Sequence, residues 1–276
     1  MDAIDPALER EYNNRVLVPE HPEIFERWRA SSAAFRDRAP STLDLAYGDA
    51  PRHRLDLFYA PNSRGTVVFI HGGYWRSLDK SFFSFLAEPL VNAGLSVATI
   101  NYRLCPEVGI PDVVDDCRQA IRWLLVHGAE FGMPLARIAL AGHSAGGHLV
   151  SMLLATDWQH HGIDSRCIAG AVALSGVFEL EPLLQCSMNA DLHLDRTTAQ
   201  AMSPALLSPM VAAPLWLSAG VDESTAFRQQ TRSLHAAWPE TVTQAEEVTG
   251  CNHFTIVDHF AQPYSASQQF VHWLFA

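Results

Sequence analysis

Nowhere in these 276 residues does an apolar run approach the roughly 20 residues that a membrane-spanning helix requires. The first thirty residues, Met1 to Ala30, carry charges throughout and lack the apolar core of a signal peptide. The five cysteines, Cys105, Cys117, Cys167, Cys186 and Cys251, are odd in number and include no C-x-x-C pair. That usage suggests neither a disulfide framework nor a zinc site, and with the missing signal it places the chain in a reducing cytoplasm. Positive charge is scarce as well: the formal net charge is -11, and no arginine-rich run with interleaved aromatics offsets it. Phosphate backbones and anionic membranes are repelled, so neither nucleic acid nor membrane is expected as a partner. Lysine is almost missing, with Lys80 alone beside eighteen arginines, a bias read as genomic and given no functional weight. There is no internal repeat and no low-complexity segment.

What the chain does have is apolar material. Hydrophobic residues make up 48% and charged residues 18%, enough to bury a large core and far from a disordered composition. At this length one domain spanning 1–276 is the expectation. Strand-like runs occur at Leu55 to Tyr59, Thr66 to Ile70, Ser96 to Asn101, Arg137 to Ala141, Ile168 to Leu174, Pro214 to Ala219 and Thr241 to Val248. Between them lie helical patterns, such as the stripe Val113, Val114, Cys117, Ile121, Leu124 and Leu125, and Ala266, Phe270, Trp273 and Leu274 near the C-terminus.

Strands alternating with helices require crossovers, hence an α/β fold with a mostly parallel central sheet flanked by helices. The turn-rich link Pro61-Asn62-Ser63-Arg64-Gly65 predicts an antiparallel hairpin between the first two runs, making the sheet mixed. Two stretches stand outside the alternation: a charged helical N-terminus, 1–40, and the insertion 178–209. Both are expected to be small cap elements over a pocket beyond the carboxyl ends of the strands.

The segment Gly142-His143-Ser144-Ala145-Gly146-Gly147 is a G-x-S-x-G elbow set between a short apolar run and a helical one carrying Leu149, Val150, Leu153 and Leu154. Small residues two positions either side of the serine are needed where strand turns sharply into helix. A serine hydroxyl is a poor nucleophile at neutral pH, and it requires a histidine base and an acid that fixes the imidazole. Asp222 follows the strand Pro214 to Ala219, and His253 sits in the loop after the last strand, so Ser144, Asp222 and His253 stand in order at strand carboxyl ends. Among the thirteen histidines, His235 falls inside a helical run and His259 in the helix after the loop. For the acid, Glu223 is the adjacent alternative, while Asp191 and Asp195 lie in the insertion.

A second motif, Phe69-Ile70-His71-Gly72-Gly73-Tyr74-Trp75, ends a strand in two glycines, so backbone N–H groups can approach a ligand unobstructed. Amides of Gly72, Gly73 and Ala145 are expected to form an oxyanion hole. Pocket residues are expected at Tyr74, Trp75, His143, Phe178 and Phe254, with core packing as the other role open to Tyr74 and Trp75. His160-His161 offers no metal site, because neighbouring residues of a helix or strand point apart and no third ligand is evident.

With these residues in place the chain resembles the α/β-hydrolase superfamily, and its HGGYW form is similar to the kynurenine formamidase (arylformamidase) branch. The resemblance runs almost end to end. It includes Leu8-Glu9-Arg10-Glu11-Tyr12, Tyr47-Gly48 followed by Leu55-Asp56, and Ala155-Thr156-Asp157-Trp158 after the elbow. Ser175-Gly176-Val177-Phe178-Glu179-Leu180-Glu181-Pro182 and Asn252-His253-Phe254-Thr255-Ile256-Val257 also match. Tyr74 stands where the HGGG esterases have a third glycine.

The resemblance implies hydrolysis of a small molecule, N-formyl-L-kynurenine, to formate and kynurenine, with no cofactor, no metal and a homodimeric assembly. A carboxylesterase on short acyl chains uses the same machinery, and a non-catalytic ligand-binding member is the reading from another class. An amino-acid leaving group calls for a cation near its carboxylate, and Arg76 and Arg103 lie in suitable segments, though each also suits a surface role.

Overall fold

A run such as Thr66–Ile70, apolar on both alternating faces after its first residue, is satisfied only in a strand covered on both sides. A computed structural model, describing residues 3–276, places that run at the centre of one eight-stranded sheet. The strands are β1 (Ser41–Ala46), β2 (Arg54–Phe58), β3 (Thr66–Ile70), β4 (Ser96–Ile100), β5 (Ile138–His143), β6 (Ile168–Leu174), β7 (Leu215–Gly220) and β8 (Val242–Val248). Their order is β1-β2-β4-β3-β5-β6-β7-β8. The β1–β2 and β2–β4 pairs are antiparallel and all the others are parallel.

The sheet is therefore mixed, but not through the hairpin the Pro61–Gly65 link suggests. β2 pairs with β1 and β4, and β3 lies on the far side of β4. Burial explains the outcome, since β3 is buried at all five positions and needs a neighbour on each side. The edge is taken instead by β1, whose sequence STLDLA is half-exposed and bulged between Thr42 and Leu45.

Alternation along the strands divides the interior into two cores. Val68, Ile70, Leu140, Leu55 and Leu57 face the helices Ile110–His127 and Ala145–Leu154. Val67, Phe69, Ala139, Ala141 and Val172 face the helices His21–Arg36, Thr255–Phe260 and Ala266–Trp273. In the last of these, Phe270 and Val271 are buried, as is Leu274 just after it, while Trp273 points out at 63% exposure.

The N-terminal segment folds as helices Pro6–Tyr12, Asn14–Leu17 and His21–Arg36. It is tied to the insertion 178–209 by Glu9, whose carboxylate accepts from Ser187 N (2.7 Å) and Ser187 Oγ (2.8 Å). Beneath the β1–β2 edge, Lys80 is 3% exposed, and its ammonium donates to Asp56 (2.6 Å) and Asp44 (2.7 Å). Burial raises the Asp56 pKa and the adjacent Lys80 opposes that rise. Among the described residues no helix is long and apolar enough to cross a membrane.

Candidate active site

The parallel strands deliver their carboxyl ends to one rim, and β5 delivers the sharpest turn there. After His143 the chain reverses at Ser144, with φ 56° and ψ -118°, and enters the helix Ala145–Leu154 at once. A non-glycine residue in that conformation is strained, as expected of a serine held proud of a strand-to-helix turn. The turn closes only because Gly146 has no side chain: a Cβ there would lie 1.9 Å from the carbonyl oxygen of Ile70.

The imidazole of His253 lies between two groups. Its Nε2 is 3.0 Å from Ser144 Oγ, and its Nδ1 is 2.9 Å from Glu223 Oε2. Both side chains of the His253–Glu223 pair are shielded from solvent, at 4% and 0% exposure. Glu223 is fixed by its other oxygen, which accepts from Gly220 N (2.6 Å) and Ser175 Oγ (2.6 Å). Asp222, the acid expected from the sequence, faces solvent and does not meet the histidine. The tight turn after β7, closed by Glu223 N donating to Gly220 O, carries position 222 outward and position 223 inward.

The His71-Gly72-Gly73 loop lies against this serine. A Cβ on Gly72 would come within 2.8 Å of His143 O and 3.0 Å of Ser144 Cβ, so the backbone packs directly on the elbow. Gly73, Tyr74 and Trp75 have successive positive φ values of 113°, 50° and 55°. The bend is held by Ser77 Oγ and Arg76 N donating to Gly73 O, and by the Tyr102 hydroxyl donating to His71 O (2.9 Å). Ala145 opens its helix, so its N–H has no acceptor one turn back and is free to meet an oxyanion.

Comparison with known proteins gives the family. The BD-FAE family model matches residues 55–231, from β2 to beyond the Glu223 turn. The chain belongs to the BD-FAE family. Kynurenine formamidase of Salmo salar is 28% identical over 235 residues, covering 81% of this chain and 78% of its own. Kynurenine formamidase of Danio rerio is 29% identical over 234 residues with the same coverage, 81% and 78%. A solved structure from Silicibacter sp. TM1040 that carries a thioesterase assignment is 33% identical, with a TM-score of 0.86 over 98% of this chain and 99% of that one. This BD-FAE protein is an α/β-hydrolase of the kynurenine formamidase branch.

Ser144 and His253 open into a narrow cavity of about 40 Å³. Of the residues expected to line it, Tyr74, His143 and Phe254 do so. Trp75 and Phe178 do not: both are fully buried in the core, where Trp75 Nε1 donates to His148 Nδ1 (3.2 Å) and Phe178 fills the space beside Gly176. Tyr74 also anchors the N-terminal segment, its hydroxyl donating to Tyr12 O (2.6 Å).

His143 donates from Nε2 to His253 O (2.7 Å), and burial, with the charge of His253 second, holds its pKa well below the usual histidine value. It is therefore a neutral wall with a bare Nδ1, an atom that has no partner. Arg103 lies elsewhere, in a multiply bonded ion pair with Asp116, whereas Arg76 lines the cavity and pairs with Asp191.

The opposite wall of this BD-FAE site comes from residues the sequence reading did not single out: Asn13, Asn14, Arg15, Phe25, Trp28 and, from the insertion, Met188. Nothing in the sequence pattern sets them apart, since asparagines and an arginine are ordinary at a polar helix end such as Asn13. His160 is exposed and pairs with Asp157 (2.7 Å), and among the described residues no cluster of His, Cys, Asp and Glu could hold a metal ion.

Proposed function

We propose that Ser144, His253 and Glu223 form a catalytic triad that cleaves N-formyl-L-kynurenine to formate and L-kynurenine through a formyl-enzyme. The observation that carries this reading is His253 standing between Ser144 Oγ at 3.0 Å and Glu223 at 2.9 Å. Ser144 attacks the formyl carbon while His253 Nε2 takes the hydroxyl proton, and Glu223 stabilises the imidazolium that results. The oxyanion rests on the amides of Gly72 or Gly73 and Ala145. The tetrahedral intermediate collapses with the proton passing from His253 to the departing aryl amine. Water, deprotonated by the same histidine, then attacks the formyl ester and releases formate.

The likeness to kynurenine formamidases supports the substrate. In this reading the chain works as one domain, with the N-terminal helices and the insertion 178–209 as caps, in the cytoplasm and as a homodimer, whose mass light scattering would give. The thioesterase assignment of the Silicibacter relative supports a second reading, a hydrolase of small esters with the same machinery.

The deciding experiment compares kcat/KM for N-formyl-L-kynurenine, p-nitrophenyl acetate and p-nitrophenyl butyrate in wild type and Ser144→Ala. A formamide preference that falls by roughly a thousandfold or more in the variant is expected. Ester turnover without formamide turnover would favour the second reading. Near-full activity in folded Ser144→Ala would overturn both.

A further inference from the structure

The Ser175-Gly176 stretch has no part in the acyl-transfer steps, yet it lies directly behind them. Ser175 follows β6, is fully buried and has a φ of 49°. That left-handed conformation suits glycine and strains a residue that carries a Cβ. Strain of this kind persists only where the surrounding structure over-determines it, and it gathers at working sites. At Ser144 the strained residue is the nucleophile itself. At Ser175 the feature that glycine would lack is a hydroxyl, and it donates to Glu223 Oε1 at 2.6 Å.

The surroundings of Glu223 make that hydroxyl matter. Its side chain is 0% exposed, and among the described residues its one ion-pair partner is His253. Apart from the base, the carboxylate rests on two neutral donors, Gly220 N and Ser175 Oγ, and both meet Oε1. A buried carboxylate is costly without such donors, and a hydrogen bond to an ionised group is stronger than one between neutral groups. With Oε1 held from two sides, Oε2 is left aimed at His253 Nδ1. The same strand end also holds the nucleophile. Leu174 O accepts from Ser144 N (2.8 Å), and Ser175 N donates to Ser218 O of β7 (2.7 Å). Leu174 and Ser175 thus set the spacing of serine and acid on either side of the histidine.

We infer that Ser175 is a positioning residue for the acid: its hydroxyl, held on a strained backbone, locks the Glu223 carboxylate with Oε2 on the base. The inference rests on Glu223 serving as the acid of the Ser144 and His253 pair.

The test separates the hydroxyl from the backbone. Ser175→Ala keeps the Cβ and loses the hydroxyl, whereas Ser175→Gly loses both and relieves the strain. Turnover of N-formyl-L-kynurenine and p-nitrophenyl acetate is measured beside the rate at which a fluorophosphonate labels Ser144. In both variants kcat and the labelling rate should fall by about tenfold or more, with KM within about twofold of wild type. Urea unfolding should rank Ser175→Gly above Ser175→Ala, so that activity follows the hydroxyl and stability follows the backbone. In a Glu223→Ala background the further effect of Ser175→Gly should shrink to within about twofold, because the hydroxyl then has no carboxylate to hold. Wild-type kcat in either folded Ser175 variant, or an equal fall with and without Glu223, overturns the positioning role alone. A folded Glu223→Ala enzyme at near wild-type rate overturns the acid assignment and the positioning role with it. Wild-type silence toward both substrates and the fluorophosphonate overturns the acyl-transfer reading and, with it, this one.

Discussion

Nδ1 of His253 meets Oε2 of Glu223 at 2.9 Å, while Asp222, the preceding residue, points into solvent. The two neighbouring carboxylates therefore have different consequences when neutralised. Glu223→Gln should lower kcat by about 10³- to 10⁴-fold, because the histidine loses the group that fixes its tautomer. Asp222→Asn should stay within about twofold of wild type, as expected for a solvated surface charge. Steady-state rates on any substrate turned over by the wild type decide between them. Equal losses in both variants would mean that the acid is shared or misassigned.

The elbow stores strain at Ser144, whose φ of 56° and ψ of -118° suit glycine. Ser144→Gly and Ser144→Ala both remove the hydroxyl, but only glycine removes the Cβ that makes the conformation costly. The glycine variant should be the more stable of the two by about 1 kcal/mol in urea unfolding, after the entropy that glycine adds to the unfolded chain. An alanine variant of equal stability would show that the turn is not strained at this residue.

Acid should weaken the fold well before carboxylates are protonated. Burial lowers the pKa values of His71 and His148 to about 4, and that of His143 well below its usual value. His148 accepts from Trp75 at Nδ1 and donates to Met202 O at Nε2, a pattern available only to the neutral ring. Because these folded values lie below the unfolded one, the unfolded chain binds more protons between about pH 6.5 and pH 4. Stability is thus complete above that window and lost as pH falls through it, by about 3 kcal/mol for each histidine with a folded value near 4. Urea midpoints measured down this range should fall steadily, and less steeply in His148→Gln. A flat profile would mean that these rings are protonated in the folded state.

Seven of the eight strands and the elbow were legible because each is written in local pattern: apolar runs between turn residues, and glycines flanking a serine. β1 was not, since STLDLA is a half-exposed edge strand with a bulge and too little apolar alternation to stand out. The false hairpin arose because the link after Phe58 is short, whereas the pairing of β2 with β4 depends on residues about forty positions away. The choice between Asp222 and Glu223 turned on one residue of rotation in the tight turn after Gly220, which composition does not encode. Trp75 and Phe178 neighbour the motifs in sequence but point into the core. Asn14 and Arg15 follow the Leu8–Tyr12 stretch closely in sequence, but only the folded chain brings them to the serine's cavity.

Lys80 has a practical consequence. It is the sole lysine, and it lies interior between Asp56 and Asp44. Amine-directed acylating reagents find no lysine on the folded surface. Their reaction at Lys80, followed by mass spectrometry, is a stopwatch for each opening of the β1–β2 edge, and it should run orders of magnitude slower than for a free lysine. Acylation at the free-lysine rate would show that this edge is open most of the time.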